Sequence, residues 1–249
     1  MNTIFIVANW KEYPDNRKEA VKIASVLGRG KVSKGVTAVV CPPHVFLDAV
    51  APAIKKGKYV LGAQDLSPLM IGAYTGEVSP KALASLGVKY AIIGHSERRA
   101  MGEDDNVIVL KLKAAHAAGI RPILCVGEKS REDAEKSHAE VRDQLAVLGE
   151  LSKKEIAATI IAYEPVWAVG AKQPATPEDA REMRIYIQKV ISDMVDDKVI
   201  ASMPILYGGS VAPKNAQDFI TTGGMQGLLI GRASIDPKSF KSIVDVFTK

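Results

Sequence analysis

Residues 158–207 read "ATIIAYEPVWAVGAKQPATPEDAREMRIYIQKVISDMVDDKVIASMPILY". An apolar run, 158–163, ends on a carboxylate, Glu164, with Pro165 immediately behind it. Thr176 then offers an N-cap, Pro177 suits the first helical position, and Glu178 and Asp179 supply acids for the first turn, so the spacing predicts a helix over 176–195. A second apolar run, "MPILY", follows at 203–207. Both runs are nearly continuous rather than alternating, as strands covered on both faces are. The stretch therefore reads as strand, helix, parallel strand.

The same unit recurs outward in both directions. Apolar runs stand at 3–9 (TIFIVAN), 36–41 (VTAVVC), 58–63 (KYVLGA), 89–94 (KYAIIG), 121–126 (RPILCV) and 227–231 (GLLIG). Helix-length stretches separate them, among them 16–30, with Gly28 and Gly30 as stop signals, and 131–151. Strand–helix alternation defines an α/β chain with right-handed crossovers. About eight units in 249 residues suit a closed (β/α)8 barrel with a parallel eight-stranded sheet better than an open doubly wound one. An open sheet would place a Gly-rich turn after its first strand, but "ANWKEYP" has no glycine. No linker or composition shift interrupts the chain, so residues 1–249 read as one domain.

Composition narrows the function. The chain is 47% hydrophobic and 24% charged, ordinary for a globular protein. No apolar run approaches the roughly 20 residues that span a bilayer, and "MNTIFIVANWKE" lacks the basic flank of a signal peptide. The net charge of +5 is dispersed among acids rather than gathered into a stripe, which argues against nucleic acid and suits a small anionic substrate. Cys41 and Cys125 lie far apart in apolar surroundings and read as reduced, buried thiols of a cytoplasmic protein.

In a parallel barrel, chemistry sits at the C-terminal strand ends. Strand 1 delivers Asn9 and Lys11, strand 4 "GHSERR" (94–99), strand 6 Glu164, strand 7 "YGGSV" (207–211) and strand 8 Gly231 and Arg232. The glycine turns after strands 7 and 8 expose backbone N–H groups, which attract a phosphate. Lys11 directly follows an apolar strand, which favours the site over a solvated surface. His95 begins a polar segment that could start a short helix, and the positive end of a dipole there favours the neutral imidazole. Arg98 and Arg99 read as an ion-pair scaffold. Glu97 with Glu164 leaves a paired-carboxylate glycosidase to consider, but aromatics are only 6%, too few for sugar platforms. No ligand spacing for a metal and no GxxxxGK loop occurs, so neither a metal nor a nucleotide cofactor is expected.

Together, "NWK" (9–11), "AYTGE" (73–77), "GHSERR" (94–99), "AYEPVWAVG" (162–170) and "YGGSV" (207–211) make the chain resemble the triosephosphate isomerase family over essentially its whole length. The resemblance implies a TIM barrel that interconverts dihydroxyacetone phosphate and glyceraldehyde 3-phosphate. It implies Glu164 as base, His95 as electrophile, Lys11 as fixed positive charge and Asn9 as an orienting residue. This family is itself the type case of a glutamate base beside a neutral histidine. The resemblance further implies Glu97 and Ser96 as supporting residues and phosphate binding by the amides of Gly170, Ser210, Gly231 and Arg232. A lid would comprise Pro165, Val166, Trp167, Ala168, Val169, Ala171 and Lys172. The loop 64–77, carrying Thr75, resembles the arm that reaches a second subunit, which implies a homodimer.

The chain departs from the family's pattern at the lid tip, "AVGAKQPA", and at Arg232, where glycine is usual. The lid tip implies altered lid kinetics with the chemistry retained, and Arg232 leaves open an isomerase of a four-carbon ketose phosphate. A catalytically silent phosphosugar-binding barrel is the remaining alternative.

Overall fold

The computed structural model describes residues 3–168 and 174–247. Along the chain come β1 (Ile4–Asn9), α1 (Arg17–Arg29), β2 (Val36–Cys41), α2 (Leu47–Lys55), β3 (Val60–Ala63), α3 (Pro80–Ser85), β4 (Tyr90–Ile93), α4 (Ser96–Ala100), α5 (Asp105–Ala117) and β5 (Arg121–Val126). There follow α6 (Ala134–Leu145), α7 (Lys153–Ala158), β6 (Ile160–Tyr163), α8 (Pro177–Ser192), α9 (Asp197–Ser202), β7 (Ile205–Tyr207), α10 (Ala216–Thr221), β8 (Gly227–Ile230) and α11 (Pro237–Val246). Each strand pairs in parallel with the next, and β8 returns to β1 with Phe5 opposite Gly227, closing the eight-stranded barrel expected from the strand rhythm.

The continuous apolar runs resolve into two cores. Phe5, Val7, Val39, Cys41, Ile92, Ile123, Cys125, Ile160, Ala162, Leu206 and Leu229 fill the barrel interior. Their strand neighbours, such as Ile6, Ala8, Ile161 and Tyr163, join the larger cluster between sheet and helices. This alternation aims the site. Counting by twos, Phe5 and Val7 lead to Asn9, Ile160 and Ala162 to Glu164, Leu206 to Gly208, and Leu229 to Gly231. The polar ends are thus inward positions carried one step past the apolar plug.

Helix starts follow their capping chemistry. Thr176 accepts the Asp179 N–H while Asp179 accepts the Thr176 N–H, and Pro177 occupies the first turn of α8. Two sequence expectations need correction. The segment 131–151 is not one helix: Asp133 caps α6 by accepting from Glu135 and Lys136, and the chain tightens into a 3-10 turn over Ala146–Glu150. Gly28 does not stop α1, which runs through it to Arg29 with Gly30 as cap. A Cβ at Gly28 would fall 2.0 Å from the Ala53 carbonyl oxygen, so glycine is there to let α1 approach α2.

Candidate active site

At the C-terminal mouth, a cavity of about 900 Å³ is lined by Asn9, Lys11, His95, Glu97, Glu164, Ser210, Gly231 and Arg232, among others. Residues more than two hundred positions apart in sequence therefore face one space.

Glu164 lies just past β6 with only 4% of its surface exposed. Two glycines make room for it. A Cβ on Gly127 would lie 1.8 Å from the Glu164 carbonyl oxygen, and one on Gly208 would lie 2.6 Å from Glu164 Cγ. The backbone N–H of Glu164 donates to Val126 O at 2.8 Å. Its carboxylate meets His95 Nε2 at 3.1 Å and accepts the Ser96 N–H at 3.4 Å. Burial pushes the Glu164 carboxyl up, but His95, the Ser96 N–H and the Lys11 charge outweigh it and hold it below the usual range.

His95 is the N-cap of α4: its Nδ1 accepts the Glu97 N–H at 3.1 Å. Two influences on the ring oppose each other. Burial lowers its pKa, but the Glu164 and Glu97 carboxylates together outweigh it, for a net upward shift. The cap bond, however, needs a lone pair on Nδ1, which an imidazolium lacks. The hydrogen-bond geometry fixes the neutral tautomer, with its proton on Nε2 toward Glu164.

Lys11 has φ 53°, a left-handed conformation that costs a non-glycine residue about 1–2 kcal/mol. Its neighbours hold it there. Asn9 Oδ1 accepts the Lys11 N–H at 3.1 Å, and Gln64 Nε2 donates to Lys11 O at 2.7 Å and to Cys41 O at 3.1 Å. The ammonium reaches Glu97 Oε1 at 2.5 Å, and the other Glu97 oxygen lies 3.7 Å from His95 Nδ1. Glu97 is thus engaged with Lys11 through its carboxylate and with His95 through its backbone N–H. Arg98 pairs with Asp65 and Glu103, and Arg99 with Asp105, the scaffold read from the sequence.

Lining the same cavity, Ser210, Gly231 and Arg232 have backbone N–H groups with no partner among the described residues. Of the lid residues, Pro165–Ala168 are described, with a 3-10 turn over Val166–Ala168. Ser210 Oγ donates to Ala168 O at 3.3 Å. Val169, Gly170, Ala171 and Lys172 lie outside the described residues.

Sequence reasoning missed Gln64 and Glu128. Glu128 is fully buried; it accepts from Tyr163 Oη at 2.8 Å and Trp167 Nε1 at 2.6 Å, and its carbonyl accepts the Val166 N–H at 3.0 Å. It ties the turn at Val166 and Trp167 to the segment after β5. Both missed residues closely follow strands, β3 and β5, so the strand-end rule that selected Glu164 would have found them.

A closed parallel barrel with an acid, an imidazole and an ammonium at its C-terminal mouth, together with open backbone donors, defines a (β/α)8-barrel enzyme for a small anionic substrate. The triosephosphate isomerase family model matches residues 4–247. The triosephosphate isomerase of Chloroflexus aurantiacus is 41% identical over 248 residues, covering 98% of this chain and 99% of the relative. That of Halorhodospira halophila is 41% identical over 249 residues, covering 98% and 97%. That of Fusobacterium nucleatum is 38% identical over 247 residues, covering 98% of each chain. The chain belongs to the triosephosphate isomerase family.

Proposed function

We propose that this chain interconverts dihydroxyacetone phosphate and glyceraldehyde 3-phosphate by proton transfer at Glu164. The contact between Glu164 and the Nε2 side of His95, inside a cavity also lined by residues with open backbone amides, carries the reading. The Glu164 carboxylate removes a proton from the carbon beside the carbonyl. The electron pair moves onto the carbonyl oxygen, which faces the His95 Nε2–H and the Lys11 ammonium. The hydroxyl proton of the first carbon passes to the former carbonyl oxygen, and Glu164 returns its own proton to the neighbouring carbon as the first oxygen becomes the new carbonyl, so the isomerisation completes with no net gain or loss of atoms. A carbon acid is weak, so a base shielded from water and donors already aimed at the developing oxyanion both lower the barrier.

Asn9 orients the substrate, with Oδ1 committed to Lys11. Ser96 and Glu97 support the pair, through the N–H to Glu164 and the N–H to His95. The open amides of Ser210, Gly231 and Arg232 take the phosphate, and Gly170 of the lid is assigned to the same cradle. Pro165–Ala168 form the near hinge of a lid that excludes water, a motion for which this family is itself a known example.

The reading extends to the whole chain as one barrel domain, working as a homodimer in the cytoplasm. Thr75 is exposed on the loop 64–77, and Ile71 and Tyr74 beside it expose large apolar surface (77% and 48%) that a second subunit would cover. Cys41 and Cys125 are free and buried, in keeping with a reducing compartment. Among the described residues no helix is long and apolar enough to cross a membrane.

The test is isomerisation of glyceraldehyde 3-phosphate by wild type and by Glu164→Gln. Loss of the base should lower kcat by about a thousandfold, within the range for general acid–base catalysis. A variant that retained wild-type turnover would remove Glu164 from the chemistry.

A further inference from the structure

In the cavity the Lys11 ammonium stands near Gly231, 4.0 Å from where a Cβ would lie, but it is committed to Glu97. Arg232, two positions past the end of β8, is exposed and lines the same space. Its guanidinium makes no hydrogen bond or ion pair with any described residue, in contrast to Lys11, Arg98 and Arg99, each held by a carboxylate. A planar fork of donors at the rim of an anion-binding cavity, unpaired and next to open backbone amides, is suited to bidentate capture of a phosphate.

We propose that the Arg232 side chain is itself a phosphate ligand, adding a charge-assisted grip to the backbone donors of Ser210, Gly231 and Arg232. The inference rests on the phosphate end of the cavity assigned above. It adds the full charge of an exposed guanidinium to the partial charges of the backbone amides. The phosphate does not react, so this grip acts nearly equally on bound substrate and transition state. Its loss appears as a higher KM, with kcat/KM falling by the same factor. The grip also favours the phosphate dianion over the monoanion and weakens as salt screens an exposed guanidinium.

The test uses inorganic phosphate as probe, so that binding is read without turnover. Affinity is measured by calorimetry for wild type, Arg232→Gln and Arg232→Lys at low and moderate salt, beside KM for glyceraldehyde 3-phosphate. The expected result is about tenfold weaker phosphate binding and about tenfold higher KM in Arg232→Gln. Arg232→Lys should recover part of each, and wild-type phosphate affinity should fall with salt more steeply than that of Arg232→Gln. Equal phosphate affinity and equal salt dependence in wild type and Arg232→Gln would overturn the proposal, leaving the guanidinium to solvent. So would a fall in kcat at unchanged KM. Isomerase turnover by the wild type reports separately on the Glu164 chemistry, so failure of that reading and failure of the Arg232 grip give different results.

Discussion

Gly208→Ala isolates the positioning of Glu164 from its chemistry, because the carboxylate itself is untouched. The added methyl would lie 2.6 Å from Glu164 Cγ and 3.3 Å from Oε1. Carbon atoms rest at about 3.5–4.0 Å, so the Glu164 side chain must withdraw by about 1 Å. The backbone on either side offers little slack. Gly208 N–H is bonded to Tyr163 O at 2.7 Å, and the Glu164 carbonyl packs against Gly127 where not even a Cβ would fit. The shift therefore falls on the carboxylate, away from its 3.1 Å contact with His95. A displacement of about 1 Å at a reacting group can cost roughly a hundredfold in rate, or about 2.7 kcal/mol of barrier. The assay is coupled isomerisation in both directions at about 25 °C, with Gly149→Ala as control, since a Cβ there meets nothing within 4 Å. Overpacking also lowers the melting temperature, so circular dichroism must show Gly208→Ala folded at the assay temperature. A folded Gly208→Ala with kcat within about threefold of wild type would refute the claim that this glycine sets the carboxylate's position.

Two predictions concern stability. Gly28→Ala gains about 1 kcal/mol of helix propensity, yet its Cβ would sit 2.0 Å from Ala53 O and force α1 from α2; thermal melts should fall by several degrees, and an unchanged or raised Tm would discard the packing role. Asp236 caps α11, and the Ser239 hydroxyl and the Lys238 N–H hold its carboxyl below the usual range. A depressed folded pKa gives stability that is complete above the unfolded value, about 3.9, and lost as pH falls through the folded one. Melts from about pH 6 to about pH 3 should therefore show a smaller acid loss in Asp236→Ala than in wild type, and equal slopes would exclude the cap as a source of acid sensitivity.

What was legible in the sequence follows from which physical rules are local. Strand and helix rhythm gave the barrel, because apolar period and capping residues such as Thr176 and Pro177 act within a few positions. The strand ends gave Asn9, Lys11, His95, Glu164, Ser210 and Gly231, all of which line the cavity. What stayed hidden depends on contacts between distant segments. Gly28 carries the same local signal as a helix stop, and only the approach of Ala53 distinguishes a packing glycine from a terminating one. Gln64 and Glu128 show no unusual pattern; their importance comes from the Lys11 carbonyl and the Trp167 indole, which lie 53 and 39 positions away in sequence. The state of Arg232 was equally invisible, since only the fold shows that its guanidinium has no carboxylate partner among the described residues.

The His95 tautomer shows how a folding rule can set a protonation state. A helix start leaves backbone N–H groups without partners, and α4 begins directly behind the buried His95 ring. His95 Nδ1 takes the Glu97 N–H, so the bond that caps α4 also excludes a proton from that nitrogen. The remaining proton must lie on Nε2, and the ring direction fixed by the cap aims it at Glu164. Protonating the ring would turn a second N–H against the Glu97 amide and cost α4 its cap, a penalty that opposes the upward pull of the Glu164 carboxylate on the imidazole. The cost of charging His95 is therefore partly a cost of unfolding one helical turn. That coupling keeps a neutral donor beside a carboxylate that would otherwise charge it.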